Sequence, residues 1–195
     1  MLTAGRTVTE HQLAAARVAT RADALLNRER ILAVSYAAFA ADPKVSLNAI
    51  AKLAGVGPGT LYRHFPTRED LLLAVYQQEV QVLVQAVGGV LEQYPPLDAL
   101  RVWFLRLADL VQVKHGLGEA LQSAAAQHAV SETYAPVTAA IGVLLAACEE
   151  AGDVRPGLDP ADVLLLMGFL WRAGPDEAGQ RQARRVLELA IRGLP

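Results

Sequence analysis

Apolar residues recur at helical spacing along most of this 195-residue chain, and strict alternation of the strand kind is scarce. Leu26, Ile31, Val34, Ala38 and Phe39 mark a helix over Asp23 to Ala40, which Asp42-Pro43 closes. Ser46, a good N-cap, opens a short helix through Leu47, Ile50, Ala51 and Leu53 to Ala54. Gly55-Val56-Gly57 breaks the chain, and Pro58 to Phe65 forms a third short helix that Pro66 stops. Thr67 then caps a long helix to about Glu92, with Glu69 and Asp70 in the first turn, where the helix dipole favours acids. Gly88-Gly89 late in it predicts a bend or close packing. Beyond the Tyr94-Pro95-Pro96 linker, helices are expected over Leu97–His115, Glu119–Val130, Glu132–Ala151 and Pro160–Ala173, with a last one to Gly193. The sum is an all-α fold of about nine helices. Residues 1–20 read as a flexible arm whose last part extends the first helix, residues 21–67 as a three-helix unit, and residues 68–195 as a larger helical domain.

The stretch from Ser46 to Phe65 has the layout of a helix-turn-helix. Gly55 suits the turn because a residue leaving a helix there needs positive φ. Ala51, four residues earlier, is small enough for two helices to approach closely. Ile50, Val56, Leu61 and Phe65 are the expected core of this unit. Thr60, Tyr62, Arg63 and His64 are the outward polar residues of the second helix, the one that enters a major groove in such a layout. Arg63 suits guanine O6 and N7, whereas Tyr62 and Thr60 suit a phosphate or a thymine methyl. A nucleotide phosphate loop is a poor alternative for the glycines here. Thr60 stands where that pattern needs Gly, and a helix precedes it instead of a strand.

Two features of the second half stand out. Ala183, Val186, Leu187, Ala190, Ile191 and Leu194 form one apolar stripe on the last helix, opposite Arg181, Arg184, Arg185, Glu188 and Arg192. The helix before it is apolar nearly all round, with Val163, Leu166 and Leu170. A homodimer interface over Val163, Leu166, Leu170, Ala183, Val186, Leu187, Ala190 and Leu194 is expected, with intramolecular core as the alternative. Trp103, Phe104, Leu107, Met167 and Trp171 are core by default. With His128 they are also the candidates for a small-molecule site, since a helical domain built on bulky side chains often encloses a cavity.

Average composition is mute on nucleic acid, with a net charge of −2 and pI near 6.1. The distribution is not. Residues 1–70 hold nine Lys and Arg against six Asp and Glu, while residues 71–195 hold nine against fourteen. A basic end on an acidic body suits DNA contact at that end. Cys148 is the single cysteine, so no disulfide closes within the chain; it reads as a small buried hydrophobe, with a redox sensor as the alternative. His11, His64, His115 and His128 have no i,i+4 pair, so neither a metal nor a cofactor is expected. No catalytic spacing points to an enzyme. The longest uncharged run, Thr133 to Cys148, falls short of a membrane span, and residues 1–17 lack a signal-peptide core, so a cytoplasmic protein is expected.

The segment S-L-N-A-I-A-K-L-A-G-V-G-P-G-T-L-Y-R-H-F-P-T-R-E-D-L resembles the DNA-binding domain of TetR-family bacterial regulators, and R-A-D-A-L-L-N-R-E-R-I-L resembles the first helix of many members. The likeness covers residues 21–76. More weakly, L-R-x-W-F-x(3)-A-D-x-V and K-H-G-L-x-E-A-L resemble the SbtR-type C-terminal domain. The resemblance implies a dimeric regulator, usually a repressor, that binds a palindromic double-stranded operator and responds to a small-molecule effector. Candidate DNA contacts are Ser46, Asn48, Gly57, Pro58, Gly59, Thr60, Tyr62, Arg63, His64 and Thr67. Members commonly carry Ser and then Lys or Arg where this chain has Gly57 and Pro58, which removes phosphate contacts and leaves a ligand-binding protein with weak or lost DNA binding as a rival.

Overall fold

The computed structural model describes the backbone of residues 4–42, 44–116, 131–174 and 176–194, and the side chains of most residues from Asp23 on. All regular structure among them is helical. The chain divides into two compact units, residues 1–71 and 72–195.

In the first unit, α1 (Ala4–Ala41), α2 (Leu47–Leu53) and α3 (Pro58–His64) pack pairwise against one another. The arm expected to be flexible is helical from Ala4 onward. Its Ala, Leu, Gln and Arg residues are strong helix formers, and no proline interrupts them, so the first helix continues backward through them. Ile31, Leu32 and Phe39 of α1 are buried, as are Ile50 and Ala51 of α2, Leu61 of α3, and Phe65 just after it. Val56 is only half-buried.

The helix α4 (Arg68–Gln93) begins at the end of the first unit and supplies Val80, Leu83, Val87 and Val90 to the core of the second. Thr67 and Asp70 cap it reciprocally. Asp70 N–H donates to the Thr67 hydroxyl at 3.1 Å, and Thr67 N–H donates to the Asp70 carboxylate at 3.0 Å. Cβ atoms added at Gly88 and Gly89 would meet no heavy atom within 4 Å, so close packing does not account for that pair.

The rest of the second unit comprises α5 (Pro96–Gly116), α6 (Tyr134–Ala151), α7 (Pro160–Leu166), a 3-10 turn (Met167–Arg172) and α8 (Glu177–Arg192). The helix expected over Glu119–Val130 lies outside the described residues. α5 is the hub, packing against α6, the 3-10 turn and α8. Its Leu100, Trp103 and Phe104 are buried completely or nearly so. Trp103 stands edge-on to Phe104, and its indole N–H donates to the Leu83 carbonyl of α4 at 2.9 Å. By length and composition α6 could cross a membrane. Here Val137, Ile141, Leu144, Leu145 and Cys148 turn one face of it into the core. The helix expected over Pro160–Ala173 tightens at Met167, and the three-residue period of the 3-10 turn brings Met167 and Leu170 to the same buried side.

The residues expected at a homodimer interface differ in their burial within the single chain. Ala183, Leu187 and Leu194 are buried within the single chain, as are Val163 and Leu170. Val186 and Ala190 are half-buried, and only Leu166 of that set is exposed. α8 lays its apolar stripe onto α5 and the 3-10 turn, where the Arg101 guanidinium of α5 also meets Glu188 of α8 at 2.8 Å. The buried part of this stripe is thus covered within the chain, and Leu166 stays open.

The turn into α8 depends on a close approach of two glycines. A Cβ on Gly179 would sit 2.6 Å from the backbone N and C atoms of Gly174. Gly179→Ala should destabilise the fold by about 1–3 kcal/mol through this overlap. Gly88→Ala, with open space around it, should stabilise it by up to about 1 kcal/mol. Denaturant unfolding of both variants checks the contrast.

Candidate nucleic-acid interface

The second helix of the trio stands on a capped first one. The Ser46 hydroxyl accepts from Ala49 N–H at 3.2 Å, closing the first turn of α2. Gly55 leaves α2 with φ of 67°, the left-handed conformation expected of it, and Val56 N–H donates to the Ala51 carbonyl at 3.0 Å. Extended backbone at Gly57 and proline at the first helical position then start α3.

α3 buries one side and presents the other. Leu61 is fully buried and Phe65 nearly so. Pro58, Gly59, Tyr62 and Arg63 are exposed, with Tyr62 at 44% of its full accessibility, whereas Thr60 and His64 are half-buried. Of the candidate contacts on α3, Pro58, Gly59, Tyr62 and Arg63 are thus open to solvent, and Asn48 of α2 is exposed as well. The structure gives Ser46 and Thr67 capping roles, since both hydroxyls are engaged by their own helix starts. Added Cβ atoms at Gly57 and Gly59 would meet nothing within 4 Å, so this corner of the surface is bare backbone and the Pro58 ring.

The cations around α3 divide by what they touch. Arg28 lies over the Phe65 ring at 5.3 Å, and Arg68 lies over the Phe39 ring at 4.8 Å while donating to the Val45 carbonyl. Arg28 is exposed and Arg68 half-buried, so each covers a core ring from the outside. Arg63 instead folds along its own helix, donating from Nε to the Gly59 carbonyl at 3.2 Å and from Nη2 to the Thr60 hydroxyl at 3.4 Å. Lys44 and Lys52 are exposed on the same unit. Neither lysine is among the expected contacts, and each adds local positive charge to the unit.

Of the small-molecule candidates, Trp103, Phe104, Leu107 and Met167 are all buried in the core of the second unit. Trp103 has its one donor occupied by Leu83. His128 and the side chain of Trp171 lie outside the described residues. A separate surface hollow of about 300 Å³ is lined by Arg155, Leu158, Asp162, Val163, Leu166 and Leu194, and includes none of these candidates. Among the described residues no cluster of three potential metal ligands occurs.

Comparison with known proteins agrees with this architecture. The profile of the SbtR-like transcriptional regulator C-terminal domain matches residues 95–195, and that of the tetR family of bacterial regulatory proteins matches residues 31–75. A TetR transcriptional regulator from Streptomyces coelicolor superposes with a TM-score of 0.74 at 34% identity, covering 86% of this chain and 97% of that one. The chain belongs to the TetR family. A second member, from Mycobacterium vanbaalenii, superposes at 0.69 with 35% identity, covering 90% and 98%. An HTH-type transcriptional regulator of Staphylococcus aureus is 36% identical over 76 residues, an alignment spanning 38% of this chain and 41% of that relative. This TetR-family chain is a regulator and not an enzyme.

The remaining chemical candidate, Cys148, is fully buried on α6. Burial first, and the neighbouring Asp153 carboxylate second, push its thiol up to about 11. A folded pKa raised above the unfolded one means that the native state holds its proton more tightly. The stability so gained is complete below the unfolded pKa and is lost as pH rises through the folded value. A thiol of this kind is a poor redox sensor. Iodoacetamide at pH 8 should label Cys148 of the TetR-family protein only as fast as denaturant opens the fold, which a labelling time course under native and denaturing conditions measures.

Proposed function

We propose that this chain is a dimeric, DNA-binding transcriptional repressor, released from a palindromic operator by a small, largely apolar ligand. The observation that carries the reading is the exposed face of α3, where Pro58, Gly59, Tyr62 and Arg63 are open to solvent while Leu61 and Phe65 anchor the helix beneath. Arg63 reads guanine through O6 and N7, Tyr62 reaches a phosphate or a thymine methyl, and Lys44, Lys52 and Asn48 supply backbone contacts. Two copies related by a two-fold axis place two such helices in successive major-groove faces about 34–36 Å apart, or a multiple of that. The ligand acts in the second unit and biases α4, the helix that runs from one unit into the other. Coupling of about 1–3 kcal/mol would weaken operator binding roughly 5- to 150-fold.

The dimer interface is better sought on α6 and α7 than on α8. Val143 of α6 and Leu165 and Leu166 of α7 are 53%, 78% and 51% exposed, and the two helices pack side by side. Ala139 and Ala146 continue the Val143 stripe at helical spacing. Such a face, apolar and narrow-sided, suits a second copy of itself.

Two measurements test the reading. A gel shift against DNA upstream of the chain's own coding region should give a specific complex, and Arg63→Ala should cost about 1–3 kcal/mol and relax preference at one base pair per half-site. Absence of any complex would favour the rival in which Gly57 and Pro58 mark a protein that has lost DNA binding. Leu165→Glu, at a position exposed in the single chain, should leave folding intact and shift sedimentation from dimer to monomer. A persistent dimer would place the interface elsewhere.

A further inference from the structure

Resting on that reading of Arg63, the hydrogen bonds inside α3 assign a part to the residue three positions before it. Nε and Nη2 of a guanidinium lie along the same side edge of its plane. In Arg63 this edge is engaged by the same helix, through the Gly59 carbonyl at 3.2 Å and the Thr60 hydroxyl at 3.4 Å. What remains is the end edge, with one N–H from each terminal nitrogen, parallel and side by side. Guanine presents O6 and N7 side by side in the major groove, the acceptor pair that such an edge matches. We propose that Thr60 is a positioning residue for Arg63, holding the guanidinium so that its end edge is offered to guanine, and that it is not itself a phosphate contact.

The local geometry supports this division of roles. Thr60 is half-buried beside the fully buried Leu61, so its hydroxyl is carried on an anchored turn of helix. Arg63 is exposed, and an exposed arginine without such ties samples many rotamers and loses that freedom on binding. Two short-range ties reduce the loss in advance, the general benefit of preorganisation. One tie comes from the backbone and cannot be removed by substitution at Gly59; the other is the Thr60 hydroxyl, which can.

The test uses the full chain and an operator duplex that the wild-type protein selects from a random pool, with a second duplex in which the Arg63-dependent guanine is replaced. Thr60→Val deletes the hydroxyl and keeps the shape; Thr60→Ser keeps the hydroxyl; Thr60→Ala repeats the deletion should valine disturb the helix. Deletion should weaken binding to the selected operator about 2- to 10-fold, the scale of one hydrogen bond. It should leave the replaced duplex unaffected and the salt dependence unchanged, and Thr60→Ser should retain wild-type affinity. In an Arg63→Ala background the deletion should cost nothing further. An equal loss in that background, with a shallower salt slope, would make Thr60 a direct phosphate contact and overturn the assignment. So would wild-type affinity in both deletion variants. Failure of the wild-type protein to select any sequence would instead overturn the DNA-binding reading itself, and the role of Thr60 with it.

Discussion

Seven residues are too few to hold a helix in water by themselves, because nucleation costs more than so short a run of hydrogen bonds returns. The exposed face of α3 is therefore held in place by the burial of Leu61 and Phe65, in a unit where α3 packs on α1 and α2. Everything exposed on that helix is positioned by what is hidden beneath it. The small size of this core also gives a place to two nearby cations. Arg28 covers Phe65 and Arg68 covers Phe39, so two positive charges close the edges of a small core that has little apolar material of its own.

This unit was largely legible in the sequence because its constraints are local. A cap at Ser46, positive φ at Gly55 and proline at the start of α3 each fix the backbone within a few residues, and the structure realises all three. The capping pair Thr67 and Asp70 is equally local and equally visible. The first helix shows where local reasoning stops short. Its early residues lack the strong apolar periodicity used to find helices, yet they carry good helix propensity and follow no break, so α1 runs back to Ala4.

The second unit was legible as helices but not as an assembly. An amphipathic stripe states that one side of a helix must be covered and is silent on whether the cover comes from the same chain. For Ala183, Leu187 and Leu194 the cover is intramolecular. Of the eighteen residues of α6, six are buried, while Val143 is exposed. Distinguishing the two needs the pairing of helices, a non-local property fixed by contacts such as Arg101 with Glu188, eighty-seven positions apart. Whether a buried side chain also lines a ligand site is non-local in the same way. Trp103 and Phe104 have the bulk and chemistry of a pocket wall, and they are used to build the centre of the domain.

The bare corner at Gly57, Pro58 and Gly59 shifts where recognition must come from. Phosphate contacts supply most of the salt-dependent affinity of a DNA-binding protein, and each one missing lowers the salt slope by about one. Base contacts supply discrimination and depend little on the number of charges nearby. If α3 reads DNA as proposed, a surface without polar side chains at Gly57, Pro58 and Gly59 leans on the second class more than on the first. Its affinity would then be modest at high salt without a matching loss of sequence preference. On that reading the ties along α3 bear on sequence preference more than on salt-dependent affinity, which Tyr62, Lys44, Lys52 and Asn48 would have to supply.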